Sequence, residues 1–144
     1  MSGELGATFA NDLMKLIFQG TAIANIADNA VTLPLTGLYL SLHTADPTAA
    51  GNQTSSECAY TSYARVAVSR DSSGFTVSTN SVTLTALTSF PAATGGSETA
   101  TYFAVGTASS GTGKILAAGP ISPAIVISSG VTPQLDTGTT GTLT

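Results

Sequence analysis

The sequence contains few charged residues. Asp, Glu, Lys and Arg account for 8% of its 144 residues, against about 25% in an ordinary soluble domain. Four basic residues cannot displace many counterions from duplex DNA, so nucleic acid is not an expected partner. A net charge of -4 produces little repulsion between copies of the chain. The composition therefore favours a subunit of an assembly, with self-association into a homo-oligomer, over a free enzyme.

Cysteine, histidine and long apolar runs are also scarce. Cys58 is the only cysteine, which excludes an intrachain disulfide, and one cysteine with one histidine does not make a zinc site. The eight carboxylates are scattered along the chain, which argues against calcium. No apolar run approaches the roughly 20 residues of a membrane span, and the N-terminus lacks the basic segment of a signal peptide. We expect no metal, no cofactor and no membrane contact.

Catalytic motifs are missing as well. His43 is the only histidine, Asp46 follows it closely, and no serine occupies a recognisable nucleophile turn. The segment 111–114 (GTGK) resembles part of a phosphate-binding loop, but Ala108 and Ile115 stand where that motif requires Gly and then Ser or Thr. A hairpin turn explains the segment better. The sequence therefore predicts a protein without enzymatic activity.

Hydroxyl-bearing residues and glycine are abundant. Ser and Thr together supply 41 of the 144 positions, and 15 more are Gly. Thr suits a pleated surface because its Cβ is branched, and Gly permits tight turns. From residue 37 onward, apolar residues alternate in short segments typical of half-buried strands, as in Leu38, Leu40 and Leu42. The pattern predicts a mainly β protein, an antiparallel β-sandwich or barrel of about seven to eight short strands.

One helix is predicted ahead of these strands, over residues 2–19. Ser2 can cap its beginning, and Gly20 fits its end. Its apolar residues recur at helical spacing and form one stripe: Leu5, Phe9, Leu13, Leu16 and Ile17. This stripe either covers an open end of the same chain's β core or docks on a neighbouring subunit.

The connection after the first predicted strand is unusually long. Residues 45–62 are rich in Ala, Gly, Ser, Thr and Asn, and loops longer than about 15 residues are uncommon in compact domains and are often functional. We expect this loop to contact a partner through Asp46, Pro47, Asn52 and Glu57. The chain as a whole divides into a helical docking arm with its connector over 1–36 and a β-sandwich domain over 37–144.

Several segments, taken in order, resemble a known family. They are 37–47 (GLYLSLHTADP), 63–68 (YARVAV), 90–95 (FPAATG), 100–106 (ATYFAVG) and 113–120 (GKILAAGP). The series is similar to small virion proteins of tailed bacteriophages that are often described as tail fibre proteins, and such chains are also similar to capsid decoration, or cement, proteins. The resemblance implies a structural protein of a phage virion that is made in the cytoplasm of a bacterial host.

Physical considerations favour the capsid exterior. A fibre shaft is usually built from repeats or heptads, and this sequence has neither. A cement protein binds the assembled shell of major capsid protein and not its free subunits, so it stabilises the shell by mass action. We therefore expect capsid decoration with the major capsid protein as partner. The alternative is a tail fibre or tail-tip component that binds a host receptor. Its binding face could include Tyr39, Tyr60, Tyr63 and Tyr102, although tyrosine is also common in the cores of sandwiches.

Overall fold

The computed structural model describes residues 2–19, 22–27, 35–78 and 81–142. Within them the chain forms one helix and ten strands: β1 (Ser2–Leu5), α1 (Ala7–Gln19), β2 (Gly37–His43), β3 (Val66–Ser69), β4 (Phe75–Ser78), β5 (Ser81–Leu84), β6 (Thr88–Ser89), β7 (Glu98–Gly106), β8 (Ile115–Ile127), β9 (Gln134–Leu135) and β10 (Thr140–Thr142). Eight strands form one sheet in the order β3-β2-β7-β8-β1-β10-β5-β4, and β6 pairs with β9. The prediction of a mainly β protein with one N-terminal helix is confirmed.

The large sheet changes layers at β1. The first two residues of β1 pair with β10, and the last two pair with β8. The β1–β10 pair is parallel, whereas the strands between β3 and β8 pair antiparallel, as do β10, β5 and β4. Leu84 of β5 belongs to the same buried cluster as Leu40 of β2. The two halves of the sheet therefore face each other across a shared core, as in a sandwich, and β1 joins them.

The core contains side chains that the alternating pattern predicts. Leu40 and Leu42 are fully buried together with Phe103 of β7. Tyr60 is also buried, its ring lies edge to face with Tyr63 at 5.3 Å between centroids, and Tyr63 stacks on a core phenylalanine. Of the two roles open to the four tyrosines, binding face or core, Tyr60 has the second, because its ring is part of the core.

The helix begins later than predicted. Residues 2–5 form β1, so the prediction of a helix from Ser2 is wrong at its start. Gly6 explains the break, because its N–H donates to the Leu116 carbonyl at 3.0 Å and a Cβ there would lie 2.4 Å from the Ile115 carbonyl oxygen. Only glycine approaches β8 so closely. Gly20, the expected end, lies outside the described residues.

The first turns of α1 contact the rest of the chain. Thr8 Oγ1 donates to the Gly51 carbonyl at 3.3 Å, and Asp12 forms an ion pair with Lys114. These contacts agree with a helix that covers part of its own chain, and docking on a neighbouring subunit stays a prediction.

The division of the chain after residue 36 also stays a prediction. Because β1 lies inside the sheet, deletion of residues 1–20 would remove a strand as well as the helix. No helix in the described part of the chain is long and apolar enough to cross a membrane.

A bulge occurs in the middle of β8, which runs from Ile115 to Ile127. Between its pairing with Tyr102 and its pairing with Ala100, β8 advances by five residues while β7 advances by two. The extra residues, 121–124, are displaced from the ladder. The connection between β7 and β8 is a hairpin, as predicted.

Candidate functional site

The outer face of β2 is covered by the loop that follows it. Ser41 and His43 alternate with core leucines and so point away from the core, yet both are fully buried. The loop of residues 44–62 returns over them, and Cys58 N–H donates to the Leu42 carbonyl at 2.8 Å. A strand that the sequence indicates to be half-buried is therefore buried on both faces at this end.

Ser41, His43 and Gln53 form a buried chain of hydrogen bonds. His43 Nδ1 lies 2.8 Å from the Ser55 carbonyl oxygen, so Nδ1 carries the proton and donates. Nε2 is then the acceptor, and Ser41 Oγ donates to it at 2.9 Å. Gln53 Nε2 donates to Ser41 Oγ at 3.3 Å and to the Tyr39 carbonyl at 3.1 Å. Both ring nitrogens of His43 are therefore occupied inside the protein.

Gln53 fits closely against two glycines of the β7–β8 hairpin. A Cβ on Gly106 would lie 2.1 Å from Gln53 Cδ, and a Cβ on Gly113 would lie 2.0 Å from Gln53 Oε1. Gln53 Oε1 accepts a hydrogen bond from the Ala108 N–H at 3.2 Å. The two glycines thus leave room for the side chain that ties the loop to the hairpin.

Glu57 and Arg65 form an ion pair beside these hydrogen bonds. Arg65 Nε lies 2.6 Å from Glu57 Oε1, and Nη2 donates to Oε2 at 2.8 Å, so the pair is bidentate. The same guanidinium donates to the carbonyls of Ala108 and Gly111, at 2.9 and 2.7 Å. Its side chain is only 2% exposed. Ser41, His43, Gln53, Glu57 and Arg65 are together termed the polar clamp.

Burial shifts the titration of groups in and near the polar clamp. Desolvation lowers the pKa of His43, although the Ser55 carbonyl and Glu57 oppose the shift. Desolvation also raises the pKa of Cys58 to about 12, with further contributions from Glu98 and Glu57. At neutral pH the imidazole is therefore uncharged and the thiol protonated, and a protonated thiol is a weak nucleophile.

A shallow cleft of about 270 Å³ opens beside the ion pair. Its lining includes Tyr63, Ser109 and Ser110 as well as Glu57 and Arg65. Tyr63 donates its hydroxyl to Glu57 Oε1 at 2.9 Å, so the charged groups of the cleft are already paired. No group of three or more His, Cys, Asp or Glu side chains among the described residues is arranged to hold a metal ion. The cleft suits hydrogen bonding to a neighbouring surface more than covalent chemistry.

The apolar stripe proposed for partner contact is divided between two elements. Leu5 is the last residue of β1, whereas Phe9 and Leu13 lie on α1, and all three side chains are partly exposed. Leu16 and Ile17 also belong to α1, but their side chains lie outside the described part of the structure. Contact of this stripe with a partner stays a prediction.

The four loop residues proposed for partner contact have internal roles. Asp46 is exposed, and its Oδ1 accepts hydrogen bonds from the backbone N–H and hydroxyl of Thr48 at 2.9 and 2.6 Å. Pro47 is fully buried. Asn52 Oδ1 accepts the backbone N–H two residues later at 3.1 Å, and Glu57 belongs to the polar clamp. Their contact with a partner stays a prediction as well.

A second candidate surface lies beneath the bulge in β8. A groove of about 400 Å³ opens between β8 and the segment that contains β9, and its lining mixes apolar with polar side chains. Leu87 stands at its rim and is 56% exposed, and Val126 of β8 is 69% exposed. These two are the large exposed hydrophobic residues of the described chain. The lining is Leu87, Ile121, Ser122, Pro123, Ile125, Gln134, Leu135, Asp136 and Gly138.

The sequence of residues 4–142 matches the family described as "Podophage GP4 fiber I protein gp80". The chain belongs to this family. It is therefore a structural protein of a bacteriophage, and the resemblance to phage virion proteins is confirmed. No curated protein matches the sequence.

Sequence reasoning missed Ser41, Gln53 and Arg65 of this fibre-family protein as site residues. A strand that alternates apolar and polar residues usually has its polar face in water, so nothing in β2 indicates that this face is covered. The available signal was Gly106 and Gly113 at the two ends of the hairpin. Glycine within a strand pattern marks a close approach of another group, and here that group is Gln53.

Proposed function

We propose that the chain is a structural subunit of a fibre on the phage tail and that it acts without catalysis. The observation that carries this proposal is the family match, which spans residues 4–142 and bears the description of a podophage fibre protein. The absence of repeats and heptads counts against a long shaft. It does not count against a compact β-sandwich that forms one segment or the tip of a fibre.

The polar clamp supports a structural role. Gln53, His43 and Arg65 hold the loop of residues 44–62 on the sheet and the hairpin through hydrogen bonds of 2.7 to 3.3 Å. A loop held in this way presents a fixed surface, which lowers the conformational entropy that is lost when a partner binds. Such a surface suits permanent contacts in a virion.

The distribution of charge points to contacts that are mostly uncharged. The three basic side chains that the structure describes all bind within the chain: Arg65 to Glu57, Lys114 to Asp12, and Arg70 to the carbonyl oxygens of Leu35 and Ile26. Neighbouring virion proteins would therefore be contacted through hydroxyl, backbone and apolar groups. Contacts of this kind respond weakly to salt.

Capsid decoration is the second candidate, with the major capsid protein as partner. The observation that favours it is a single small sandwich with only 8% charged residues. A module of this kind suits weak contacts that are repeated over a shell and add through multivalency.

Immunogold labelling of intact particles tests the location. Antibodies raised against the purified chain are bound to particles of the phage that encodes it, and particles lacking the gene serve as control. A fibre subunit predicts gold at the tail and on the order of a dozen copies per particle by quantitative gel analysis, whereas decoration predicts gold over the whole head and on the order of hundreds of copies. Head labelling with the higher count would overturn the fibre proposal.

A further inference from the structure

We infer that residues 44–57 form a lid on the outer face of β2, and that this lid is released when His43 takes up a proton. On release the lid uncovers that face, while the β-sandwich beneath it stays folded. This inference goes beyond the proposed fibre role, because it concerns how one surface of the protein changes with pH wherever the chain lies in the virion.

The hydrogen bonds of His43 fit only its neutral ring. Nδ1 donates to the Ser55 carbonyl, and Nε2 accepts from the Ser41 hydroxyl. A proton on Nε2 turns this nitrogen into a donor, so the hydroxyl proton of Ser41 loses the only acceptor that the described residues give it. Ser41 Oγ would then accept from both Nε2 and Gln53 Nε2. Protonation therefore leaves a polar hydrogen unpaired where water is absent, and such a group is costly.

The surroundings of the ring do not offset a positive charge. The Ser55 carbonyl and Glu57 favour the charged ring, and Arg65 opposes it. Glu57 is already bound by both nitrogens of the Arg65 side chain that face it, so the pair as a whole adds little net charge. Tyr102 of β7 is the partner of His43 in the register, and phenols are uncharged near neutral pH. Desolvation outweighs these groups and lowers the pKa of His43.

The lid is the element that can move away from the ring. Its Gln53 N–H donates to the Gly113 carbonyl at 2.8 Å, and its Gly51 carbonyl accepts from the Ile115 N–H at 3.2 Å. Much of the remaining attachment passes through side chains of the polar clamp. Ser56, the residue after Ser55, has a φ of 52°, which is unfavourable for a residue with a Cβ. Release relieves this strain and lets water reach the imidazolium.

The sandwich beneath the lid has its own core. Leu40 and Leu42 point to the other face of β2, where they pack with Phe103. The pairing of β2 with β3 and β7 does not involve the lid. Cys58 and Tyr60 belong to the same buried cluster, so they hold the end of the loop that follows the lid. Loss of the lid therefore leaves the hydrophobic core in place.

Amide hydrogen exchange of the full chain, followed residue by residue by NMR, tests the release. The Gln53 amide reports on the lid because its acceptor, the Gly113 carbonyl, lies on the hairpin. The amides of β7 report on the sandwich, since β7 pairs with strands on both sides. Each rate is divided into the intrinsic rate at the same pH to give a protection factor. Between about pH 7.5 and 5.5, protection of Gln53 should fall by up to about tenfold per pH unit once the pH is below 6.5.

Low concentrations of urea separate release of the lid from unfolding. A local opening exposes little surface, so protection of Gln53 should stay below that of β7 and should hardly change up to about 1 M urea, whereas protection of β7 should fall. Equal protection of Gln53 and β7 with equal urea dependence would show that the lid opens only with the whole protein and would overturn the inference. So would a Gln53 protection factor that does not change with pH.

Two variants assign the proton. His43 is the only histidine, and His43→Gln should abolish the pH dependence of Gln53 protection. Asp46→Asn is the matched control, because Asp46 is an exposed carboxylate of the same lid, and it should leave that dependence unchanged. A His43→Gln protein that keeps the dependence, or an Asp46→Asn protein that loses it, would overturn the inference. The comparison of pH and urea in the wild-type chain decides the question if His43→Gln does not fold.

Discussion

His43 Nδ1 donates a hydrogen bond of 2.8 Å to the Ser55 carbonyl, which binds the last residue of β2 to the loop that leaves it. Through this bond and those of Gln53 and Arg65, the loop covers a face of the sheet that would otherwise meet water. The polar clamp is therefore part of what stabilises the sandwich, and substitutions within it should lower the free energy of unfolding.

Gly106→Ala should destabilise the protein. The added Cβ would lie 2.1 Å from Gln53 Cδ, so Gln53 must move and give up its hydrogen bond to Ala108. We expect the free energy of unfolding, measured by urea denaturation, to fall by about 2 kcal/mol. The control is Gly37→Ala, where the nearest atom, the Val68 carbonyl oxygen, would lie at an ordinary 3.4 Å, and a change below about 1 kcal/mol is expected.

A double variant identifies the cause of that loss. Gln53→Ala removes the side chain that meets the new Cβ, so Gly106→Ala should cost much less in its presence than in the wild-type chain. Equal costs in both backgrounds would show that Gln53 is not the obstacle.

The fold was predictable where one strand face is apolar. Leu40 and Leu42 alternate as a half-buried strand should, and they lie in the core. The start of the helix was not predictable in the same way, because its apolar stripe continues through Leu5 with helical spacing. Gly6 ends that pattern only because β8 lies against it, and the position of β8 depends on contacts between residues far apart in the sequence.

The candidate site was harder to predict because its polar residues form hydrogen bonds within the chain. Asp46, Asn52 and Glu57 stand out in the sequence as polar residues on a long loop, yet each hydrogen-bonds within the chain. No pattern in the sequence marks Gln53 as a site residue, although its side chain is fully buried. Composition indicates that a loop is polar, but only the folded chain shows which of its side chains face inward.

Removal of one partner of the Glu57–Arg65 pair should be strongly destabilising, because the other partner then stays charged where little water reaches it. We expect Arg65→Met to lower the free energy of unfolding by about 3 kcal/mol. Arg65→Lys keeps the charge but not the bidentate geometry, so it should cause a smaller loss. In a double-mutant cycle, Glu57→Gln should cost less in the Arg65→Met background than in the wild-type chain, and strictly additive losses would contradict a direct interaction.

Stability should decrease on mild acidification. Because burial lowers the folded-state pKa of His43 below 6.5, the unfolded chain takes up a proton at a higher pH than the folded chain does. This contribution to stability is complete above about pH 6.5 and is lost as the pH falls below it, before ordinary carboxylates titrate near pH 4. The groups that face the ring are the Ser41 hydroxyl, the Ser55 carbonyl, Glu57 and Arg65.

Urea midpoints between about pH 7.5 and 5.5 measure this effect. The wild-type midpoint should fall over that range, and His43→Gln should flatten the dependence whatever its own stability. A His43→Gln protein with the wild-type slope would assign the pH dependence to other groups.

The parallel pairing of Ser2 with Thr140 has a consequence for how the protein is made. Strand β10 also pairs with β5, and it is synthesised long after both β1 and β5. During translation β1 and β5 therefore have unpaired edges, and an unpaired edge can form hydrogen bonds with a strand of another nascent chain. The yield of correctly folded chains would therefore depend on how quickly β10 is made and pairs with β1 and β5.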